Sequence, residues 1–221
     1  MKWSDKIEVT NEDNMELMSR YPDNYFELAI VDPPYCNDTK GLENSYKQTK
    51  GKKAKIGNNR IETLRGKAPT IEYWNELLRV SKNQIIWGIN WYNKFLGAGR
   101  IVWDKKNSAK NFSDGEIAFQ SLHNRTDIFS FAWNGMIQHD MKNKEIRIHP
   151  TQKPVALYKW LLMNYAKEGD KILDTHLGSG SIALACHELG FSLTACELDS
   201  EYYDAALKRF KQQTAQLRLA I

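Results

Sequence analysis

This 221-residue sequence predicts an α/β fold: a mixed, mostly parallel sheet with helices on both faces. Three stretches carry that reading. Residues 171–196 alternate strand, glycine turn, helix and strand. Residues 26–31 (Phe-Glu-Leu-Ala-Ile-Val) form an apolar run of strand length stopped by Pro33 and Pro34. A helix-like segment at 71–80 leads into a further apolar run at 84–89. Strand–helix–strand is a crossover connection, which makes its two strands parallel.

Taken in order, Ile7-Glu8-Val9 reads as a short strand, and Asn11 or Asp13 can cap a helix reaching about Arg20. Tyr21-Pro22-Asp23-Asn24 is turn chemistry before the strand at 26–31. The two prolines after it cannot extend a ladder and hold the chain extended. In 71–80, Trp74, Leu77 and Leu78 share one helical face. Strands are expected at 84–89, 100–103, 116–121 and 127–133, with Asn134-Gly135 as a two-residue hairpin turn. Pro154 suits the first turn of a helix ending near Ala166. The last third reads as a strand at 171–174, a helix at 179–189 closed by Gly190, a strand at 191–196 and a final helix from Ser200 to about Gln216. Trp74, Trp87, Trp91, Trp103 and Trp133 are expected in the core, with pocket lining as the alternative for Trp87 and Trp91; His123 and His139 are expected on the surface.

Length and an ordinary balance, 42% hydrophobic and 26% charged, fit one globular domain over 1–221 rather than a disordered chain. No apolar run approaches membrane-spanning length, and no apolar stretch follows the charged start, so neither a membrane span nor a signal peptide is expected. Cys36, Cys186 and Cys196 form no paired spacing, which suits a reducing cytoplasm. The five histidines lack metal-ligand spacing, so no metal is expected. The +4 net charge is unevenly spread. Residues 40–67 hold nine bases against two acids, a net +7, leaving −3 for the rest. With its four glycines this stretch fits a solvated loop or an arm that contacts phosphates through Lys47, Lys50, Lys52, Lys53, Lys55, Arg60 and Arg65.

Two constellations carry chemistry. In Asp174-Thr175-His176-Leu177-Gly178-Ser179-Gly180-Ser181, the glycines let backbone approach a ligand, and the following helix offers free N–H groups. Glu197 lies 19 residues after Gly178, at the end of the next strand, where an acid can accept from ribose hydroxyls. No Gly-Lys-Ser/Thr follows, which disfavours a P-loop nucleotidase. The second constellation, Asp32-Pro33-Pro34-Tyr35, caps an expected strand. An aromatic amine is a poor nucleophile because its lone pair is delocalised into the ring. A carboxylate (Asp32) and a proline carbonyl (Pro33) can accept both of its N–H groups and favour a pyramidal nitrogen. Tyr35 offers a ring on which a base can stack.

Asp-Pro-Pro-Tyr with Asp-x-x-x-Gly-x-Gly resembles the S-adenosylmethionine-dependent DNA amino-methyltransferases. His149-Pro150-Thr151-Gln152-Lys153-Pro154 resembles their cofactor-carboxylate motif, and the motif order resembles the permuted beta group. The resemblance spans roughly 7–210. It implies a class I methyltransferase (Rossmann-like) fold, circularly permuted, that methylates adenine N6 in double-stranded DNA on a flipped-out base. It implies Asp32, Pro33, Pro34 and Tyr35 as catalytic residues. It also implies that Asp13, Asp32, Pro34, His149, Thr151, Lys153, Asp174, Gly178, Ser179, Gly180 and Glu197 bind S-adenosylmethionine. Thr151, with His149 and Lys153, would hold the methionine carboxylate, and Asp13 the adenine amino group. A basic arm at 36–70 and a short hairpin region at 122–148 would recognise DNA. A bacterial or phage-encoded restriction–modification enzyme and a homodimer fit the same picture. Thr175 and His176 depart from the family's usual Pro-Phe; His176 is expected to be solvated, the alternative being a hydrogen bond to the methionine tail. The alternatives are a cytosine-N4 enzyme, an RNA or protein-glutamine methyltransferase, and a DNA-binding relative without catalysis. A 5-methylcytosine reading is disfavoured because Cys36 follows Tyr35 rather than a proline.

Overall fold

A computed structural model of the chain describes residues 1–34, 68–92, 97–107, 113–134 and 137–217. Its centre is an eight-stranded sheet. The strands are β1 (Ile7–Thr10), β2 (Phe26–Val31), β3 (Ser81–Trp87), β4 (Arg100–Asp104), β5 (Gly115–Gln120), β6 (Thr126–Ser130), β9 (Lys171–Asp174) and β10 (Ser192–Cys196), in the spatial order β1-β10-β9-β2-β3-β5-β4-β6. The first five in that order run parallel; β5 is antiparallel to β3 and to β4, and β6 runs parallel to β4.

Side chains alternate between two cores, as period-2 strands buried on both faces must. Leu28, Ile30, Ile85, Trp87, Ile172 and Leu193 face one; Ala29, Val31, Ile86 and Leu173 face the other. The second core is closed by α1 (Asn14–Ser19) and α2 (Ile71–Val80), through Leu17, Met18, Trp74 and Leu77. The first is closed by α3 (Val155–Tyr165), α4 (Ser181–Leu189) and α5 (Ser200–Leu217), through Leu161, Leu162, Ile182, Ala206 and Phe210. The expected fold class is the one observed.

Most expected boundaries hold within a residue or two, and the exceptions have local causes. β3 begins at Ser81 rather than at Gln84, because its polar residues are satisfied by neighbours: the Ser81 hydroxyl donates to the Leu77 carbonyl, and Gln84 Nε2 to the Ser81 carbonyl at 2.8 Å. The run at 127–133 divides. β6 ends at Ser130, and a separate ladder of β7 (Trp133–Asn134) and β8 (Ile137–Gln138) follows. Asn134 pairs with Ile137, so it lies in the ladder rather than in the turn. Within region 122–148, β6 belongs to the main sheet and β7 and β8 form the separate ladder. Trp91 is 58% exposed, against the core expectation, while the other four tryptophans named above are buried. Tyr35, expected to stack on the base, Cys36 and the basic segment 36–67 lie outside the described residues.

Candidate active site

Strand register decides what meets at the carboxyl edge of the sheet. Thr10 pairs with Cys196, Ala195 with Asp174, Ala29 with Leu173, and Val31 with Ile86. Asp13, Glu197, the turn after Asp174, and Asp32 to Pro34 therefore share one rim. The chain leads from β9 to β10 on one side and from β2 to β3 on the other. Asp174 and Asp32 thus flank the point where strand order reverses, where open α/β sheets bind ligands.

The turn itself is built from backbone. Gly178 and Gly180 have φ of +55° and +73°. A Cβ on Gly180 would lie 3.2 Å from the Ala206 Cβ of α5, so this glycine serves helix packing as well as conformation. Glu197 accepts from the Gly178 N–H at 2.7 Å and from the Asp199 N–H at 3.0 Å, tying β10 to the turn. Each carboxylate oxygen keeps a lone pair for a ligand hydroxyl. Arg209, 5% exposed, braces the turn from behind: it donates to the Ser179 carbonyl and Ser181 hydroxyl, both at 2.9 Å, and pairs with Glu145 at 2.6 Å.

Thr175 and His176 are knitted into the fold. Thr175 Oγ1 lies 2.8 Å from the Tyr73 hydroxyl of α2 and 2.9 Å from His176 Nδ1, while His176 Nε2 lies 3.1 Å from the Asn14 side-chain nitrogen of α1. Burial pushes the His176 pKa down to about 4, so the ring is neutral and binds as donor and acceptor. The expectation of a solvated histidine is corrected here: two helices that the sequence separates from this turn supply its partners. Asp174, 2% exposed, accepts from the His176 N–H at 2.9 Å. Burial, reinforced by the charges of Asp32 and Glu197, raises its pKa to about 8.

The 149–154 segment lies against this turn. The His149 ring is 3.8 Å from where a Gly178 Cβ would be, and its Nδ1 is 3.1 Å from the Thr151 hydroxyl. Burial, with the neighbouring Lys153 charge, lowers its pKa to about 4, so it offers hydrogen bonding and no charge. Gln152 is buried; its side chain accepts from the Ile148 N–H at 3.0 Å, and its carbonyl accepts from Trp133 Nε1 at 2.9 Å. Lys153 meets two carboxylates. Its ammonium is bound to the Asp32 carboxylate and lies 3.1 Å from Glu116 on β5. Burial would lower its pKa, yet the Asp32 and Glu116 charges win and raise it.

At the tip of β2, Pro33 and Pro34 present carbonyls only, and the Tyr92 hydroxyl lies 2.9 and 3.2 Å from them. Burial and the Asp32 charge raise the Tyr92 pKa, keeping it a donor. Asp13 caps α1 through the Met15 N–H at 2.8 Å, whereas Glu12 is paired with Arg20 at 2.6 Å. Among the described residues, Asp13 is thus the one of these two acids outside an ion pair.

The family model described as DNA methylase, for the N6/N4 methyltransferases, matches residues 4–208. The chain belongs to the N6/N4 DNA methylase family. Among curated relatives, type II methyltransferase M2.MboI of Moraxella bovis is 24% identical over 92% of this chain and 87% of its own length. M2.DpnII of Streptococcus pneumoniae is 22% identical over 94% and 91%. M.HpaI of Haemophilus parainfluenzae is 37% identical over 71 residues, 32% of this chain and 23% of that protein. Among solved structures, the M1.HpyAVI–SAM complex aligns with a TM-score of 0.57 at 22% identity, covering 92% of this chain and 99% of that one. The cytosine-N4-specific PvuII DNA methyltransferase aligns at 0.60 and 13% identity, covering 94% and 87%. At these identities the structural likeness speaks for the class I fold.

In this DNA methylase the sequence motifs converge on one rim, but the residues that hold them there come from outside every motif. Tyr92, Glu116, Tyr73, Asn14 and Arg209 carry no local signal; they lie 28–162 positions away from the motif residues they contact. Only Gln152 could have been found from its position inside the His-Pro-Thr-x-Lys-Pro match.

Proposed function

We propose that this methylase transfers a methyl group from S-adenosylmethionine to adenine N6 of double-stranded DNA, on a base turned out of the helix. The observation that carries the proposal is the placement of the Asp32 carboxylate and Pro33 carbonyl at the tip of β2, beside the glycine turn of β9. The cofactor fits this rim on charge: the Asp32 and Glu197 charges that help to keep Asp174 protonated also favour a cation here, and S-adenosylmethionine carries a sulfonium and an ammonium. When bound, it supplies a methyl group already activated by positive sulfur.

The residues of the chain do the positioning. The Gly178–Gly180 backbone lies along the cofactor, Glu197 accepts from its ribose, Asp13 from its adenine amine, and His149 with Thr151 binds its carboxylate through neutral hydrogen bonds. Asp32 and Pro33 accept from the target N6–H groups, Pro34 shapes the loop, and Tyr35 stacks on the base. The adenine amine forms the new N–CH3 bond as the S–CH3 bond breaks, and it gives up one proton. Turning the base out costs a few kcal/mol, offset by stacking and phosphate contacts. The 36–70 segment and the 122–148 region supply those contacts, and motif order supports a beta-group reading. A homodimer and a cytoplasmic, restriction–modification setting belong to the same reading.

Incubating the enzyme with labelled cofactor and DNA, RNA or protein separates the substrate classes. Asp32→Ala should abolish transfer to DNA and leave cofactor binding intact; near-normal turnover in that variant refutes the amine-clamp assignment. Sequencing for modified bases reports adenine N6 against cytosine N4.

A further inference from the structure

We infer that Glu116, acting through Lys153, is a positioning residue for the catalytic carboxylate of Asp32. The inference rests on the methyltransferase reading above and concerns its reacting centre. Four charges alternate across the sheet: Lys105, Glu116, Lys153 and Asp32, each bound to the next. Lys153 is 3% exposed, lies over the Trp87 ring at 5.4 Å, and grips Asp32 through Oδ2. Glu116 faces it from β5, opposite Trp103, with Oε1 on Lys105 and Oε2 turned to Lys153. That Oε2 is buried and has no hydrogen bond of its own among the described residues, so the lysine ammonium is its compensation.

The arrangement has a chemical consequence. An ammonium with one carboxylate partner would sit fully on Asp32 and compete with the target amine for its lone pairs. With a second carboxylate opposite, the ammonium is shared, and Asp32 is oriented while remaining a strong acceptor. Glu116→Gln keeps the shape of the side chain and removes this sharing. Lys153 therefore serves the reacting end, where the sequence resemblance assigns it to the cofactor's carboxylate, and the two roles separate in kinetics.

The test measures kcat on DNA, the Kd for S-adenosylmethionine by calorimetry, and the melting temperature, for wild type, Glu116→Gln, Lys153→Met and the double variant. Glu116→Gln is expected to lower kcat about 10-fold, with the cofactor Kd changed less than about 3-fold and melting near wild type. The double variant should be no slower than Lys153→Met, because Glu116 acts through the lysine. Glu116→Gln with wild-type kcat, or a loss of kcat matched by an equal weakening of cofactor binding, overturns the inference and leaves the methyltransferase reading standing. A wild-type enzyme that binds cofactor and methylates no DNA overturns both. Should Lys153→Met fail to fold, Glu116→Gln alone decides the question.

Discussion

Gly180→Ala tests whether the cofactor turn is held by packing as well as by backbone conformation. Two glycines bracket α4 in almost the same conformation: Gly180 at φ +73° before it and Gly190 at φ +76° after it. An alanine at either site bears the left-handed penalty, about 1–2 kcal/mol. Only at Gly180 does the new methyl group meet anything: the Ala206 Cβ at 3.2 Å, fixed on α5, whereas nothing lies within 4 Å of a Cβ at Gly190. Overpacking against a rigid helix adds about 1 kcal/mol or more. Gly190→Ala should therefore cost about 1–2 kcal/mol and Gly180→Ala about 2–3 kcal/mol. For a domain of this size these correspond to roughly 2–8 °C and 4–12 °C in melting temperature. Differential scanning calorimetry without cofactor reads both. Because the displaced backbone is that of Ser179 and Gly178, Gly180→Ala should also weaken S-adenosylmethionine binding while Gly190→Ala leaves it unchanged. Equal melting losses together with equal affinities would falsify the packing argument.

Other perturbations follow from the same contacts. Tyr73→Phe removes only the hydroxyl that meets Thr175, and should cost about 1 kcal/mol in urea denaturation. Arg209→Leu leaves the half-buried Glu145 without its cation and should lower the urea midpoint, by about 1.5–3 kcal/mol in stability, at an unchanged m-value. Asp174 holds a proton in the folded state up to about pH 8, whereas the unfolded chain releases it near its ordinary value of 3.8. Its contribution to stability is therefore complete below about pH 4 and is lost as pH rises through about 8. Asp174→Asn should flatten that decline, measured as melting temperature at pH 5 against pH 8.5. Lys52→Ala with Lys53→Ala should reduce the salt slope of DNA binding by about 2; an unchanged slope removes the arm from the DNA contact.

The fold was largely legible because its signals are local. A buried strand between two helical layers needs a continuous apolar run, and Phe26–Val31 and Lys171–Asp174 were delimited to the residue. Helix α2 was equally plain from its one apolar face. Strands with polar residues were harder: Ser81, Asn83 and Gln84 are strand residues only because Leu77, Glu27 and Ser121 satisfy them. The tip of 127–133 went astray for a related reason. Phe131 and Trp133 donate backbone bonds to Asp104 and Lys105, contacts that no pattern within the run records.

The three motifs and their order were determined by the sequence alone, since each is a short run whose residue types state its chemistry: acceptors without donors, glycines before a helix, an acid at a strand end. The placement of the charges was decided only in three dimensions. Lys153 stands two residues after Thr151 in a motif that points to a cofactor tail, but the folded chain brings it to Asp32, 121 positions away, and an antiparallel strand brings Glu116 to its other side. His176 likewise takes a hydrogen-bond partner from Asn14 on α1, 162 positions away. Short-range pattern encodes which groups are present; the electrostatic partner of a buried group is whatever the folded sheet sets against it, and that is a property of long-range packing.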